Sequence, residues 1–436
     1  MPTATRAPRH LPVTREIAPG VRLHLLRTDR FTTSYCRVVL HRDLGAEATA
    51  TAVLAQVLQS ATARHPTNKA LADRLGDLYG AMLHVGVGKL GDRQLLVGAL
   101  DWPTAHVPRA RRMFADGLEL LREVLAEPKR EDGDDGRLDE ALVAAELANH
   151  ARALRGRQDD KARHALRLCV STMCHDEPYG LDPMGELDAL ADVDGASLAS
   201  LHARLVRTAP IEIFLVGDVT LREATTAVRR HLLWPERAPR PRRLPRADGV
   251  RDARARPKLV VERDAVSQGK LVLGSRGRVR AGTRAAYAAE LMAGVLGGGS
   301  FGRLFKVVRE EHGLCYYASA GWHRPKGLLL VQTGVDPANE AKARRLIGKL
   351  TSEVASGVLE PTARDGFLNA VAHQVASMQD SPKATALWYQ ERIAIGGADS
   401  PAAHLDALRS VTPAALRAVG KRIALDTTVA LRPEGA

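Results

Sequence analysis

The stretch PERAPRPRRLPRADGVRDARARPK, residues 235–258, decides how the rest of the chain is read. Its prolines bar regular structure and its like charges repel one another into an extended path. It reads as a linker between an N-terminal unit, residues 1–234, and a C-terminal unit, residues 259–436. Both units open on the same plan of a short apolar segment, a second β-like segment and an alanine-rich helical stretch. In the first unit these are Val21–Leu26, Tyr35–Leu40 and Ala48–Thr62; in the second they are Leu259–Val261, Lys270–Gly274 and Ala285–Leu296. The repetition predicts an α+β fold made of two similar, duplicated domains.

Farther along, MLHVGVGKLGDRQLLVGALD (82–101) and CYYASAGWHRPKGLLLVQTG (315–334) alternate in the manner of hairpins. Helical stretches are expected from about Pro108 to Val170 and from Pro337 onward. Phe367, Val371, Val375 and Met378 recur at three- and four-residue spacing, which marks a core-facing stripe.

With 436 residues and a hydrophobic fraction of 45%, the chain can bury a sizeable core. No apolar run approaches the ~18 residues of a membrane-spanning helix, and the basic start lacks the apolar block of a signal peptide. The expectation is a soluble, cytoplasmic protein. The formal charge of +13 comes mostly from scattered arginines without interleaved aromatics, which argues against nucleic acid. Cys36, Cys169, Cys174 and Cys315 form neither a CxxC pair nor a disulfide framework, and read as buried thiols.

Several stretches, in order along the chain, resemble the pitrilysin or insulinase family of zinc peptidases. They are VLQSATARHPTNKALADRLGDLYGAML, DDKARHALRLCVSTMCHDEPYG, VSQGKLVLGSRG, GVLGGGSFGRLFKVVREEHGLCYYASAG and SMQDSPKATALWYQ. The resemblance implies two similar α/β-sandwich domains of the processing-peptidase type, forming half of a clam-shell. Active members bind zinc through His-x-x-Glu-His on a helix, which sets two imidazoles one turn apart with a water-activating glutamate between them. Alignment on VLQSAT places Ala52, Ala55 and Gln56 at those three positions, and no HxxEH or HExxH occurs among the 15 histidines. The family's third ligand, a glutamate, falls near Glu140 and Glu146, which without the histidines read as solvent-facing helix residues. No metal is expected in this chain.

Other polar sets are weaker. His150 and His164 would stand roughly 21 Å apart on one continuous helix. His175, Asp176 and Glu177 lie in a Pro/Gly turn, and Cys174 beside His175 has no orienting third group for nucleophilic work. The resemblance also implies that Arg309 and Tyr316, seven residues apart, correspond to the arginine and tyrosine that hold substrate and the charged intermediate opposite zinc. Tyr317, facing the other way on a strand, is the less suitable partner. Gly297, Gly298, Gly299 and Ser300 match a flexible substrate-handling loop, although close helix packing explains the glycines equally well; no Lys-Ser/Thr follows, so the loop is not a phosphate cradle. The stretch VSQGKLVLG would offer a strand edge to a peptide.

The resulting expectation is a non-catalytic, substrate-binding subunit of a heteromeric zinc metallopeptidase. Inactive alone, it would form a heterodimer with an HxxEH-bearing homologue that supplies the zinc, and contribute Arg309 and Tyr316 to peptide hydrolysis. The alternative is a catalytically silent peptide-binding or assembly protein of the same fold.

Overall fold

The computed structural model describes residues 11–434 except 235–236, 239–241, 244–246 and 398. Its first sheet uses β1 (Val13–Ala18), β2 (Val21–Arg27), β3 (Thr33–Asp43), β4 (Met82–Leu90), β5 (Arg93–Pro103) and β8 (Ile211–Gly217), while β6 (Arg130–Glu131) and β7 (Asp134–Leu138) form a separate small hairpin. The second sheet uses β9 (Lys258–Asp264), β10 (Gly269–Gly277), β11 (Cys315–His323), β12 (Leu328–Val335) and β13 (Ile423–Pro433). The helices of the N-terminal part are α1 (Ala48–Ser60), α2 (Asn68–Asp77), α3 (Ala110–Ala126), α4 (Glu140–Gly156), α5 (Lys161–Met173), α6 (Gly195–Thr208) and α7 (Leu221–Ala227). Those of the C-terminal part are α8 (Arg284–Gly297), α9 (Glu340–Ala355), α10 (Pro361–Met378), α11 (Pro382–Ala394), α12 (Pro401–Arg409) and α13 (Pro413–Gly420).

The duplication is visible strand by strand. The first sheet runs β1-β2-β8-β3-β5-β4 and the second, read from its far edge, β9-β13-β10-β12-β11. In each, β2 or β9 pairs in parallel with the last strand, β8 or β13, which also pairs antiparallel with the next strand, β3 or β10. Only β1 has no counterpart. Both expected hairpins form, as β4–β5 and β11–β12. The expected helical run from Pro108 to Val170 is interrupted by β6–β7. The expectation of a strand edge at VSQGKLVLG is overturned, because β10 is flanked by β12 and β13 and its ladder groups are already paired. The edges of that sheet are β9 and β11.

Helix starts follow local chemistry. Ser381, Ser400 and Thr412 cap α11, α12 and α13 by accepting from the backbone N–H three residues on, and a proline opens each helix where its missing donor costs nothing. Val371, Val375 and Met378 on α10 are buried in the main core, with Phe367 packed against it.

Each sheet is covered on one face by helices of its own half and on the other by a helix from the opposite half. Helix α5 lies on the second sheet, burying Ala165, Cys169 and Met173 against Val272, Leu330, Val429 and Leu431. A side chain at Gly274 on β10 would run into the Met173 sulfur, so this approach needs glycine. Reciprocally, α11 packs on β3 and β8 of the first sheet, where Arg37 on β3 donates to Gln390. Of the basic stretch 235–258, residues 235–236, 239–241 and 244–246 lie outside the described residues. Its remainder forms no helix or strand before β9 and is anchored: Ala238 and Arg242 donate backbone N–H groups to the end of α6, and Arg254 reaches Asp426 and the Thr172 carbonyl.

Candidate functional site

Two corners carry the residues that the sequence singles out. The first lies between α1 and α4. On α1, Ala52 and Ala55 are each 1% exposed, so both methyl groups are locked in the core. The Gln56 amide nitrogen lies 2.9 Å from His150 Nδ1, and His150 Nε2 lies 2.9 Å from the Met184 carbonyl oxygen. A carbonyl can only accept, so Nε2 carries the proton and Nδ1 accepts from Gln56. Both ring nitrogens are thereby used, and burial holds the imidazole below its ordinary pKa, in its neutral form. One turn earlier on α4, Glu146 accepts from Ser60 at 2.7 Å and from Asn149 at 3.0 Å. Glu146 is buried, which corrects its reading as a solvent-facing residue; Glu140 is half-buried and pairs with Arg137.

The segment 181–187 closes this corner. Gln94 donates to the Pro183 carbonyl at 2.6 Å, Arg157 donates to the Gly185 carbonyl at 2.9 Å, and the Glu186 N–H donates to Thr49 Oγ1 at 3.0 Å. Two alanines and an amide offer no zinc ligands, and the nearest imidazole is committed on both sides. The residues present do not fit the metal that active pitrilysin-type enzymes carry.

The other polar sets separate in the same way. A break after α4 sends His150 toward Gln56 and His164 toward β9, so the two do not share a helix. His164, Glu262 and Asp264 are the one group of three potential metal ligands among the described residues. There Lys161 Nζ contacts both Asp264 oxygens at 2.7 and 2.8 Å and supplies the positive charge itself. Glu177 is buried in contact with Arg276 and Lys326, both at 2.6 Å, and Asp176 pairs with Arg251. The turn at 175–177 thus ties the two halves together. Cys174 is buried and its thiol is pushed up to about 11 by burial, opposite to what a nucleophile requires; all four cysteines are free and buried.

The second corner lies where a π-helical segment, Leu304–Glu311, leads into β11. The Arg309 guanidinium lies over the ring of Phe305 at 4.3 Å and over that of Tyr316 at 5.5 Å. Arg309 makes no ion pair among the described residues. Tyr316 is 75% exposed, the most exposed large hydrophobic side chain of the described chain. Its position follows from register: Cys315 pairs with Val335 and Ala318 with Thr333, so the ladder bulges at residues 316–317. Such a bulge re-aims side chains, and here one tyrosine swings out while the other stays half-buried beside Gly334.

Behind β11, Gly297 is a packing residue. A Cβ there would stand 2.6 Å from the Ala320 backbone nitrogen and 2.9 Å from Leu304. Gly298 and Ser300 are exposed and Gly299 is half-buried. The loop therefore braces the strand that carries Tyr316. Sequence reasoning missed Phe305, although its four-residue spacing from Arg309 was a usable signal. It also missed the Gln56–His150 pair, which no local spacing announces.

Comparison with known proteins finds the same fold. Residues 192–362 match the family described as "Peptidase M16 inactive domain". A Bacillus subtilis protein described as a probable inactive metalloprotease, YmfF, is 27% identical over 425 residues, covering 96% of this chain and 97% of its own. Among solved structures, a conserved protein from Enterococcus faecalis V583 superimposes with a TM-score of 0.89 at 22% identity, covering 98% of this chain and all of that one. The structure described as a peptidase M16 inactive domain from Pseudomonas fluorescens gives 0.77 at 16% identity, covering 98% and 99%. Duplicated α+β units with a metal corner filled by alanine, glutamine and backbone define a metallopeptidase fold without its metal motif. Along almost its whole length the chain is similar to a probable inactive metalloprotease, and residues 192–362 match the inactive-domain model of the M16, or pitrilysin, family.

Proposed function

We propose that this chain is the substrate-binding, non-catalytic subunit of a heteromeric zinc peptidase, pairing with an HxxEH-bearing homologue. The observation that carries the reading is the Arg309–Tyr316 corner, where a guanidinium with no carboxylate partner among the described residues lies beside an exposed phenol. Arg309 presents fixed donors and never loses its charge, so it suits a peptide carbonyl or the oxyanion that develops from it. The Tyr316 hydroxyl donates a single hydrogen bond to the same oxygen or to its neighbour. Phe305 stacks against the guanidinium and limits its rotamers, holding the donors in place before substrate arrives. Zinc held by the partner would supply the activated water, and this chain would orient the peptide. Alone, it is expected to hydrolyse nothing.

The test is to purify this chain and an HxxEH homologue from the same genome, separately and mixed. Zinc content, co-elution and cleavage of a fluorogenic peptide are then measured. Activity confined to the mixture, and reduced by Arg309→Ala about 10²–10³-fold in kcat with little change in KM, is the expected result. A co-eluting mixture that cleaves as well with Arg309→Ala/Tyr316→Phe as without it removes the proposed role. A co-eluting but inactive mixture points instead to a silent peptide-binding or assembly protein.

A further inference from the structure

A cavity of about 600 Å³ shares the 181–187 segment with the first corner but is lined by neither Gln56 nor His150. It opens between the end of α4, the length of α5 and the segment 179–187, with Lys89 from the end of β4 and His323 from the end of β11 at its rim. Its volume falls in the range of small-molecule sites. Much of its wall is apolar, including Leu154, Leu166, Val170 and Tyr179, and Leu181 and Leu187 keep 44% and 38% of their surface exposed. Exposed leucines on a concave wall are the signature of a ligand surface rather than of a solvated one.

The same wall carries an excess of positive charge. Asp182 and Glu186 both face Arg157, at 2.8 and 4.0 Å, and Asp182 also acts on Lys89 and Arg167 from beyond ion-pair distance. Arg155, Arg167 and Lys89 have no carboxylate within ion-pair distance among the described residues. Arg167 donates only to the Arg157 carbonyl, and Lys89 only to the carbonyls of Tyr179 and Leu181, at 2.9 and 3.1 Å. We propose that this cavity is a binding site for a carboxylate attached to an apolar body, its anionic end held by Arg155, Arg167 and Lys89 and its apolar part lying against Leu154, Leu181 and Leu187.

A singly charged head fits better than phosphate, because Asp182 and Glu186 would repel a dianion. The chemistry is shared by a fatty acid and by the carboxyl end of an apolar peptide. Burial holds Lys89 and Arg167 below their ordinary pKa values, with the Arg157 charge adding to this for Arg167 and the Asp182 charge opposing it at both, so a bound anion would relieve what remains. The inference does not depend on the proposed partner, since it concerns the isolated chain.

The experiment titrates the full chain calorimetrically with sodium octanoate, N-acetyl-Leu-Leu with a free carboxylate, N-acetyl-Leu-Leu amide and inorganic phosphate. At least one carboxylate should bind about tenfold or more tightly than the amide, and phosphate should not displace it. Octanoate alone binding identifies a fatty-acid site, and the dipeptide acid alone identifies a peptide-tail site; either supports the carboxylate assignment. Arg155→Ala/Arg167→Gln should weaken binding about tenfold. Arg280→Ala/Arg422→Ala, in a separate surface cluster of arginines, should leave it unchanged. The proposal fails if acid and amide bind alike, if phosphate competes as well as the carboxylate, if the Arg155/Arg167 variant keeps full affinity with an unaltered circular dichroism spectrum, or if no carboxylate binds.

Discussion

The Gln56–His150 corner and the Arg309–Tyr316 corner lie in opposite halves of a duplicated fold and are finished in opposite ways. At the first, both His150 ring nitrogens and the Glu146 carboxylate meet groups of the same chain, and the peptide segment 181–187 closes over them. At the second, a half-buried guanidinium rests on the Phe305 ring beside an exposed phenol and makes no ion pair among the described residues. A protein loses a metal centre cheaply by letting its own backbone satisfy the leftover hydrogen-bonding groups, because an unsatisfied buried group costs about 1–3 kcal/mol. Groups kept exposed and unpaired face no such pressure and offer a fold little in return.

The strongest way to break this comparison is to rebuild the metal motif. Ala52→His/Ala55→Glu/Gln56→His forces large side chains into positions with no room, at about 1–3 kcal/mol for each overpacked site. The variant is expected to unfold at markedly lower denaturant and to hold less than one equivalent of zinc by atomic absorption. Stoichiometric zinc at an unchanged midpoint would show that the corner is a metal site merely lacking ligands.

Next in size, His150→Ala strands the Gln56 amide and the Met184 carbonyl and opens a small void. A loss of about 2–4 kcal/mol in chemical denaturation is expected. The same corner should respond to acid. His150 titrates below its unfolded value of about 6.5, so its stabilising contribution is complete above that pH and disappears as pH falls toward the depressed folded value. The stability gap between the parent chain and His150→Gln should therefore narrow between pH 7 and pH 5; a constant gap would mean that the ring is not held neutral. His202, which donates to the Leu125 carbonyl, and His24 are each pushed down to about 4 by burial, so the parent chain as a whole should weaken over the same range. The smallest effect is expected at the other corner, where Arg309→Ala and Tyr316→Phe should each change stability by no more than about 0.5 kcal/mol. A larger loss would mark the pair as structural.

Much of the architecture is legible in the residues. The two opening segments, the alanine-rich helices and both hairpins follow from period-two and period-3.6 patterning, and the repetition of that plan is what exposes the duplication. What escapes is long-range. Strands β8 and β13 close each parallel pair from far along the chain, and a strand's own sequence says nothing about its distant neighbours. For the same reason the edge that the resemblance implied at β10 could not be checked in the sequence, because a short apolar run suits an edge or a central strand alike. The Arg309–Tyr316 pair is singled out by the resemblance of its whole segment, since a seven-residue spacing alone suits an ordinary helix arginine and strand tyrosine equally. The burial of Glu146 is not legible, since its partner Ser60 stands 86 residues away in sequence. The same holds for His150, whose two partners lie on α1 and in the 181–187 segment.

The exchange of α5 and α11 across the two sheets bears on how the polypeptide could be cut. Severing the backbone within 235–258 would leave each fragment with one bare sheet face and one helix shaped to fit the other fragment. The pieces should therefore be insoluble apart and recover a single cooperative unit when expressed together. Continuity of the backbone matters less to this chain than the crossing of those two helices, so a circular permutant opened in the basic stretch should fold while either half on its own should not.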